Sequence, residues 1–432
     1  MKKIYFLLLG LLITATACDN DLDQVPPNIA SADSLNDFEG VLNAAYYYQI
    51  GSVTPWAVMG DFRADNALMD EEPYPAFDRF NGDLVDMEDQ FFGPFYTALY
   101  KSILSANNVI DNSSDPIQVG EAKFLRALSY FKLVRVFGDV TVNLSPSPST
   151  SDASILTRQS ATTVYNDVII PDLNDAISAL NNNATNGRAS RIAAQALLGK
   201  VYVHMGNFTS ASTHLQAVVN GASGAGISLL SNFADIFVND LNDEVIFATQ
   251  ISSSITDEYG FSEFWSWSGG LDTKSLQPLD SDLIAAFDAS PGDLRRGVTI
   301  NETLMASPKF PQSGGPDYDW IEIRLADVIL LYAEALNENG DTASALTQLN
   351  RIRTRAGLAD SSASTQSQVR DAIQKERRLE LAFEGHRWFD LTRTGTAQSE
   401  LGLSFGDEYY LFPVPISEIL VSSGNISQNT GY

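Results

Sequence analysis

Apolar residues recur at helical spacing over 35–48, 94–111 and 121–137, so each stretch predicts an amphipathic helix packed on its neighbours. Gly138 ends the third helix, a Ser- and Pro-rich loop runs to about Arg158, and helical spacing resumes at Val164, with Pro171 placed to kink or divide the next helix. The clearest repeat lies in 195–219. There Leu198, Gly199, Tyr202, Gly206, Phe208, Ala211 and Leu215 keep the spacing of a tetratricopeptide unit, with small residues where two helices must approach. A looser copy spans 325–352 through Ala333, Leu336, Gly340, Ala345, Leu349 and Ile352, and 94–137 reads as a degenerate pair. Such units bury their apolar faces only by stacking, which predicts a mainly α, tetratricopeptide-like helical-repeat scaffold.

The helical period is lost over 222–320, where short apolar runs such as EVIFATQIS predict strands between Gly, Ser, Asp and Pro, and 49–93 has the same irregular character. The reading is one folded domain over 31–432. Its repeats cover about 35–220 and 321–395, and a loop-rich lobe with short strands covers about 49–93 and 222–320. Binding residues concentrate on loops that a rigid scaffold holds.

Ahead of this body, Lys2 and Lys3, the apolar run Ile4 to Ile13 and the small residues Ala15-Thr16-Ala17 form a secretory leader over 1–17 that ends at Cys18, the only cysteine in the chain. The apolar run is too short to span a bilayer. That position predicts lipidation of Cys18, with Ala15 standing where a bacterial lipobox usually has Leu. Residues 18–30, with two consecutive prolines, read as an extended tether.

The chain has 432 residues and a net charge of -27, with no basic stripe to neutralise phosphates, so nucleic acid is excluded as a partner and polybasic membrane docking is disfavoured. Catalytic and metal chemistry find no constellation. His204, His214 and His386 make no HExxH pair, DNDLD at 19–23 lacks the turn glycine and closing glutamate of a calcium loop, and the glycines of GASGAG at 221–226 fit no phosphate cradle. No cofactor is implied, and the chain reads as a binding protein rather than an enzyme.

The string ERRLELAFEGHRWFDLTRTG at 376–395 resembles the C-terminal signature of the SusD/RagB family. EAKFLRALSYFKLVRVFGDV at 121–140, RLADVILLYAEALNENGD at 324–341, LNRIRTRAGL at 349–358, and the closing YYLFPVPISEI and QNTGY follow the family pattern in order. Physically the signature reads as structural. Glu376, Glu380 and Glu384 fall at four-residue spacing on one helix, Arg377, Arg378, Arg387 and Arg393 supply opposite charge, and Gly385 ends the helix in a left-handed conformation. Trp388 and Phe389 then fold back onto the repeats.

The resemblance implies a non-enzymatic outer-membrane lipoprotein, facing the cell exterior, that captures oligosaccharide and delivers it to a SusC-like TonB-dependent transporter. A smaller branch of the family binds peptides, and a purely structural repeat scaffold is the reading from another class. Asp19, Asp21 and Asp23 resemble the export signal of such lipoproteins. For ligand contacts, Trp265 and Trp267 lie one residue apart, so in an extended segment both indoles face one side about 7 Å apart, as a sugar platform or as core of the lobe. Trp320 and Trp56 are further aromatic candidates. GDFRADN at 60–66 resembles a ligand-side segment of the family and offers Arg63, Asp65 and Asn66, or else is a hydrogen-bonded turn; Tyr74 and Tyr259 complete the set.

Overall fold

A computed structural model describes residues 38–68, 72–149, 152–184, 187–251, 278–310 and 318–432. Residues 39–432 form one compact unit. Its longer helices are α1 (Phe38–Gln49), α2 (Val53–Asp61), α3 (Gly93–Asn112), α4 (Pro116–Phe137), α5 (Ile170–Ala179), α6 (Arg191–His204), α7 (Phe208–Gly221), α8 (Ser281–Asp288), α9 (Leu325–Glu338), α10 (Thr342–Arg355), α11 (Gln366–Leu381) and α12 (Arg387–Thr394). Two antiparallel strand pairs accompany them: β1 (Val140–Thr141) with β2 (Arg158–Gln159), and β3 (Val245–Thr249) with β4 (Trp320–Arg324). No described helix is long and apolar enough to cross a membrane.

Local chemistry sets most helix ends. The Asp115 carboxylate accepts from the Ile117 amide, Pro116 occupies the first turn of α4, and Gly138 at φ 71° stops it. Thr365 and Gln368 form a capping box at the start of α11. Pro171 has no amide hydrogen to give, and a π turn over Tyr165–Ile169 separates the short helix Ala161–Val164 from α5, the division that the proline predicts.

The two predicted repeats have matching turns. Gly206 (φ 70°) and Gly340 (φ 90°) donate to Val203 and Asn337, while the following Asn207 and Asp341 donate to Tyr202 and Leu336 and accept from Ser210 and Ser344. At Gly199 a Cβ would lie 2.5 Å from the Leu215 side chain, so the missing side chain is what lets α6 and α7 close. Helices α3 to α7 pack each on the next, α7 packs on α9, and α9, α10 and α11 pack on one another. This run is the scaffold, and it gives the mainly helical fold with few, short strands.

Two expectations need correction. Residues 49–61 are helical, with every residue of α2 from Pro55 to Asp61 buried, because an apolar helix has to be covered on all sides. Glu384 is not on the helix of Glu376 and Glu380. Helix α11 ends at Leu381, where Ala382 takes ψ 133°, and Phe383 (φ 65°) and Gly385 (φ 71°) turn the chain. The Asp61 carboxylate accepts from the amides of Phe383 and Gly385 at 3.2 and 2.7 Å, so α2 decides where α11 stops.

The three glutamates do converge, but on cations from other segments. Arg324, at the end of β4, reaches Glu244, Glu380 and Glu384 at 3.0, 2.6 and 2.7 Å. Lys309 holds Glu384 at 2.5 Å, Arg295 holds Glu380 at 2.9 Å and Arg353 holds Glu376 at 3.0 Å. Burial opposes charge on Glu380, and the arginines outweigh it, holding the carboxyl far below its ordinary range. The arginines of the signature pair elsewhere: Arg377 with Asp327 and Asp390, Arg393 with Glu334 and Asp390, Arg387 with Asp65. Trp388 packs among Phe80, Phe405 and Tyr410, and Phe389 stacks on Trp56 with centroids 4.1 Å apart. Trp388 thus packs on Phe80 and the C-terminal segment, while Phe389 packs on α2 and meets the scaffold at Arg135 of α4, whose guanidinium is 5.3 Å from its ring.

Candidate functional site

Helix α1 turns Leu42, Ala45 and Gln49 into the core. Asn43, Tyr46, Tyr47 and Ile50, spaced i, i+3, i+4 and i+7, share the adjoining face and line one wall of a cleft of about 380 Å³. The opposite wall is the end of β3, Phe247 to Gln250, and Arg188 closes one end from the segment leading into α6. Behind it the half-buried Tyr46 packs on the buried Phe247, their centroids 6.4 Å apart and tilted by 42°. Tyr47 is 50% exposed and presents its ring to solvent at the mouth.

The polar rim is ordered by bonds made behind it. The Tyr46 hydroxyl donates to Glu121 at 2.5 Å and accepts from the Ala189 amide. Burial, then the neighbouring Glu121 charge, raise that phenol well above its ordinary value, so it stays a neutral donor. Arg188 donates through Nε to Glu121 at 2.7 Å and through Nη1 to Glu39 and Asn43 at 2.8 and 2.9 Å, with its guanidinium 4.9 Å from the Tyr46 ring centroid. Gln49 and Thr249 turn their polar ends inward, Gln49 to Ser102 and Ser129 and Thr249 to Glu322. Asn43, Arg188 and the exposed Gln250 thus bring side-chain amides and a guanidinium to the cleft surface, beside the exposed ring of Tyr47. A sugar needs that combination, since its C–H face covers a ring while its hydroxyls exchange water for amide and guanidinium partners.

The residues expected to touch ligand lie elsewhere. Trp56, Arg63, Asp65, Asn66, Tyr74 and Trp320 are at most 8% exposed, and the structure corrects their assignment to a ligand surface. Trp56 lies between Phe389 and the guanidinium of Arg135, which is 4.2 Å from its ring. Trp320 opens β4 opposite Thr249. Arg63 donates to the carbonyls of Phe77 and Tyr409 over the Phe80 ring, and burial lowers its pKa to about 10. Asp65 accepts two hydrogen bonds from Arg387, at 2.7 and 2.8 Å. Asn66 bridges Asp61 and Arg378, and Tyr74 accepts from Gln90. GDFRADN is a buried hydrogen-bonded segment because Asp61, Asp65 and Asn66 bind the signature string and Arg63 binds the carbonyls of Phe77 and Tyr409. Trp265, Trp267, Tyr259 and Cys18 lie outside the described residues.

Trp56 and Trp320 do border an inner cavity with Arg135, Lys200 and His386, but its volume of about 10 Å³ holds no more than a water. Among the described residues no group of three or more His, Cys, Asp or Glu is placed to hold a metal. Sequence reasoning missed Asn43, Tyr46, Tyr47, Arg188 and Gln250. The run YYYQ at 46–49 is the one signal of them, since consecutive tyrosines on an amphipathic helix cannot all face the core.

Residues 290–407 match the model of the SusD family, and residues 19–203 match a SusD-like model described as starch-binding associating with outer membrane. A SusD-like protein of Formosa agariphila is 25% identical over the full length of both chains. A SusD superfamily protein from Bacteroides thetaiotaomicron shares the fold with a TM-score of 0.76 at 24% identity, covering 93% of this chain and all of that one. A laminarin-binding SusD-like protein has a TM-score of 0.71 at 27% identity, covering 91% of this chain and 99% of that one. The buried signature, the stacked helix pairs and these matches define a SusD-type helical scaffold, and the chain belongs to the SusD/RagB family.

Proposed function

We propose that this protein captures oligosaccharide in the cleft between α1 and β3, as an outer-membrane lipoprotein held by Cys18, and delivers it to a SusC-like TonB-dependent transporter. The observation that carries the reading is the exposed ring of Tyr47 beside the half-buried Tyr46, next to the amide and guanidinium rim of Asn43, Gln250 and Arg188. Support comes from the matched description, starch-binding associating with outer membrane, and from the laminarin-binding relative. The role is binding and release without turnover. Trp265, Trp267 and Tyr259 stand as additional proposed contacts on sequence grounds.

The test is calorimetric titration of the soluble chain, begun after Cys18, with panels of oligosaccharides and peptides. A saturable glycan ligand is expected, and Tyr47→Ala should weaken it by about 1 kcal/mol, roughly five-fold in Kd, through loss of one stacking face. Saturation by peptides alone would replace the sugar reading with the peptide one, and turnover of a ligand would overturn the binding role.

A further inference from the structure

Resting on the carbohydrate reading above, we infer that the cleft selects uncharged oligosaccharides and rejects uronates and sulfate esters. Arg188 is the one charged side chain that lines the cleft among the described residues. In an empty sugar site, an arginine at the rim is the usual handle for a carboxylate or sulfate. Here the charge of that handle is already answered. Glu121 takes Nε at 2.7 Å and Glu39 takes Nη1 at 2.8 Å, so two carboxylates answer one guanidinium.

Glu121 cannot be released cheaply. It is 7% exposed, and it also accepts the Tyr46 hydroxyl, so an anionic ligand that drew Arg188 away would leave a buried carboxylate beside a phenol. A cation just behind the cleft lining is committed as well. Lys132, next to Gln49, is committed to Glu322 at 2.5 Å, and Thr249 donates to the same carboxylate. At the cleft itself, then, among the described residues Glu39 (α1) and Glu121 (α4) face the single cation Arg188, and the local balance is negative. The whole chain adds to it, with 54 acidic residues against 27 basic ones. An anion approaching the mouth meets repulsion and cations already paired with carboxylates, whereas an uncharged hydroxyl asks for no cation and meets amide dipoles and the tyrosine faces.

The experiment pairs each neutral backbone with an anionic counterpart of equal length: xylan with glucuronoxylan oligosaccharides, mannan with mannuronate, galactan with sulfated galactan. Binding to the full mature chain is measured by calorimetry at about 20 mM and about 200 mM salt, spanning a large change in screening length. The neutral member of the bound pair should bind at least ten-fold tighter, and the gap should narrow at the higher salt. Glu39→Gln, on a half-exposed residue, keeps a hydrogen bond to Arg188 while removing one charge, and should narrow the ratio several-fold. Glu121→Gln, checked for native circular dichroism, should narrow it further. Equal or tighter binding of the anionic member overturns the inference and leaves the carbohydrate reading standing, as does a ratio that neither variant moves. Failure of every carbohydrate to bind overturns the carbohydrate reading, and this inference with it.

Discussion

His386 is the residue where sequence and environment differ most in consequence. It shows no metal-binding spacing in the sequence, yet the fold encloses it beside Lys200, whose ammonium lies 3.5 Å from its Nδ1. Burial, then the Lys200 charge, push its pKa down to about 3. His204, also enclosed, is lowered in the same direction by burial and then by Arg135. A base whose folded pKa is depressed contributes stability that is fully present above its unfolded value, about 6.5, and is lost as pH falls toward the folded one. Each such histidine should therefore lower stability below pH 6.5 by about 1.4 kcal/mol per pH unit, offset below about pH 6 by Asp61, whose pKa burial pushes up to about 6 and which gains stability as it protonates. Only below about pH 4 do Asp390, Asp327 and Glu384 join, since their arginine and lysine partners overcome burial and hold them ionised in the folded state. Urea melts from pH 7.5 to 4.5 check this: His386→Gln should flatten part of the slope between 6.5 and 4.5, and an unchanged slope would refute it. The same scale explains the misplaced site residues. Arg63, Asp65 and Asn66 have the chemistry of sugar contacts, and nothing local reveals that the Tyr409 carbonyl, Arg387 and Arg378, each more than 300 positions away, consume it.

At the scale of elements, the contacts that let helices close are glycines with two different neighbours. A Cβ on Gly60 of α2 would lie 2.4 Å from the backbone of Gly385, where neither chain can yield. A Cβ on Gly199 of α6 would meet only the flexible end of Leu215 at 2.5 Å. Gly60→Ala should consequently cost about 3 kcal/mol and Gly199→Ala about 1 kcal/mol, as read from denaturant midpoints. Equal losses would show that α2 and the signature turn are not locked as described. The repeats were legible because a glycine at a left-handed turn followed by a capping Asn or Asp is a local code, visible at Gly206 and Gly340. The end of α11 was not legible. Its sequence keeps helical spacing through Glu384, and the break at Ala382 is imposed by Asp61 of α2 accepting two amides of the turn.

For the whole molecule, the anchor and the cleft belong to one proposal: a body tethered at Cys18 outside the cell, catching neutral glycan beside a transporter. Cys18→Ser should move the protein from the membrane to the soluble fraction, and protease added to intact cells should cleave the wild type; protection from protease would place it inside. The proposed leader boundary, the repeat scaffold, the family signature and the excess of acidic residues were all determined by sequence, because each is written in short-range spacing or composition. The cleft was decided by tertiary structure alone. Asn43, Tyr46 and Tyr47 become a wall only when Phe247 arrives from β3 and Arg188 from the approach to α6, and the charge of Arg188 is cancelled by Glu121 from α4. Exposure, and whether a polar group is free or spent, depend on neighbours brought from distant parts of the chain, and helical spacing carries no record of them.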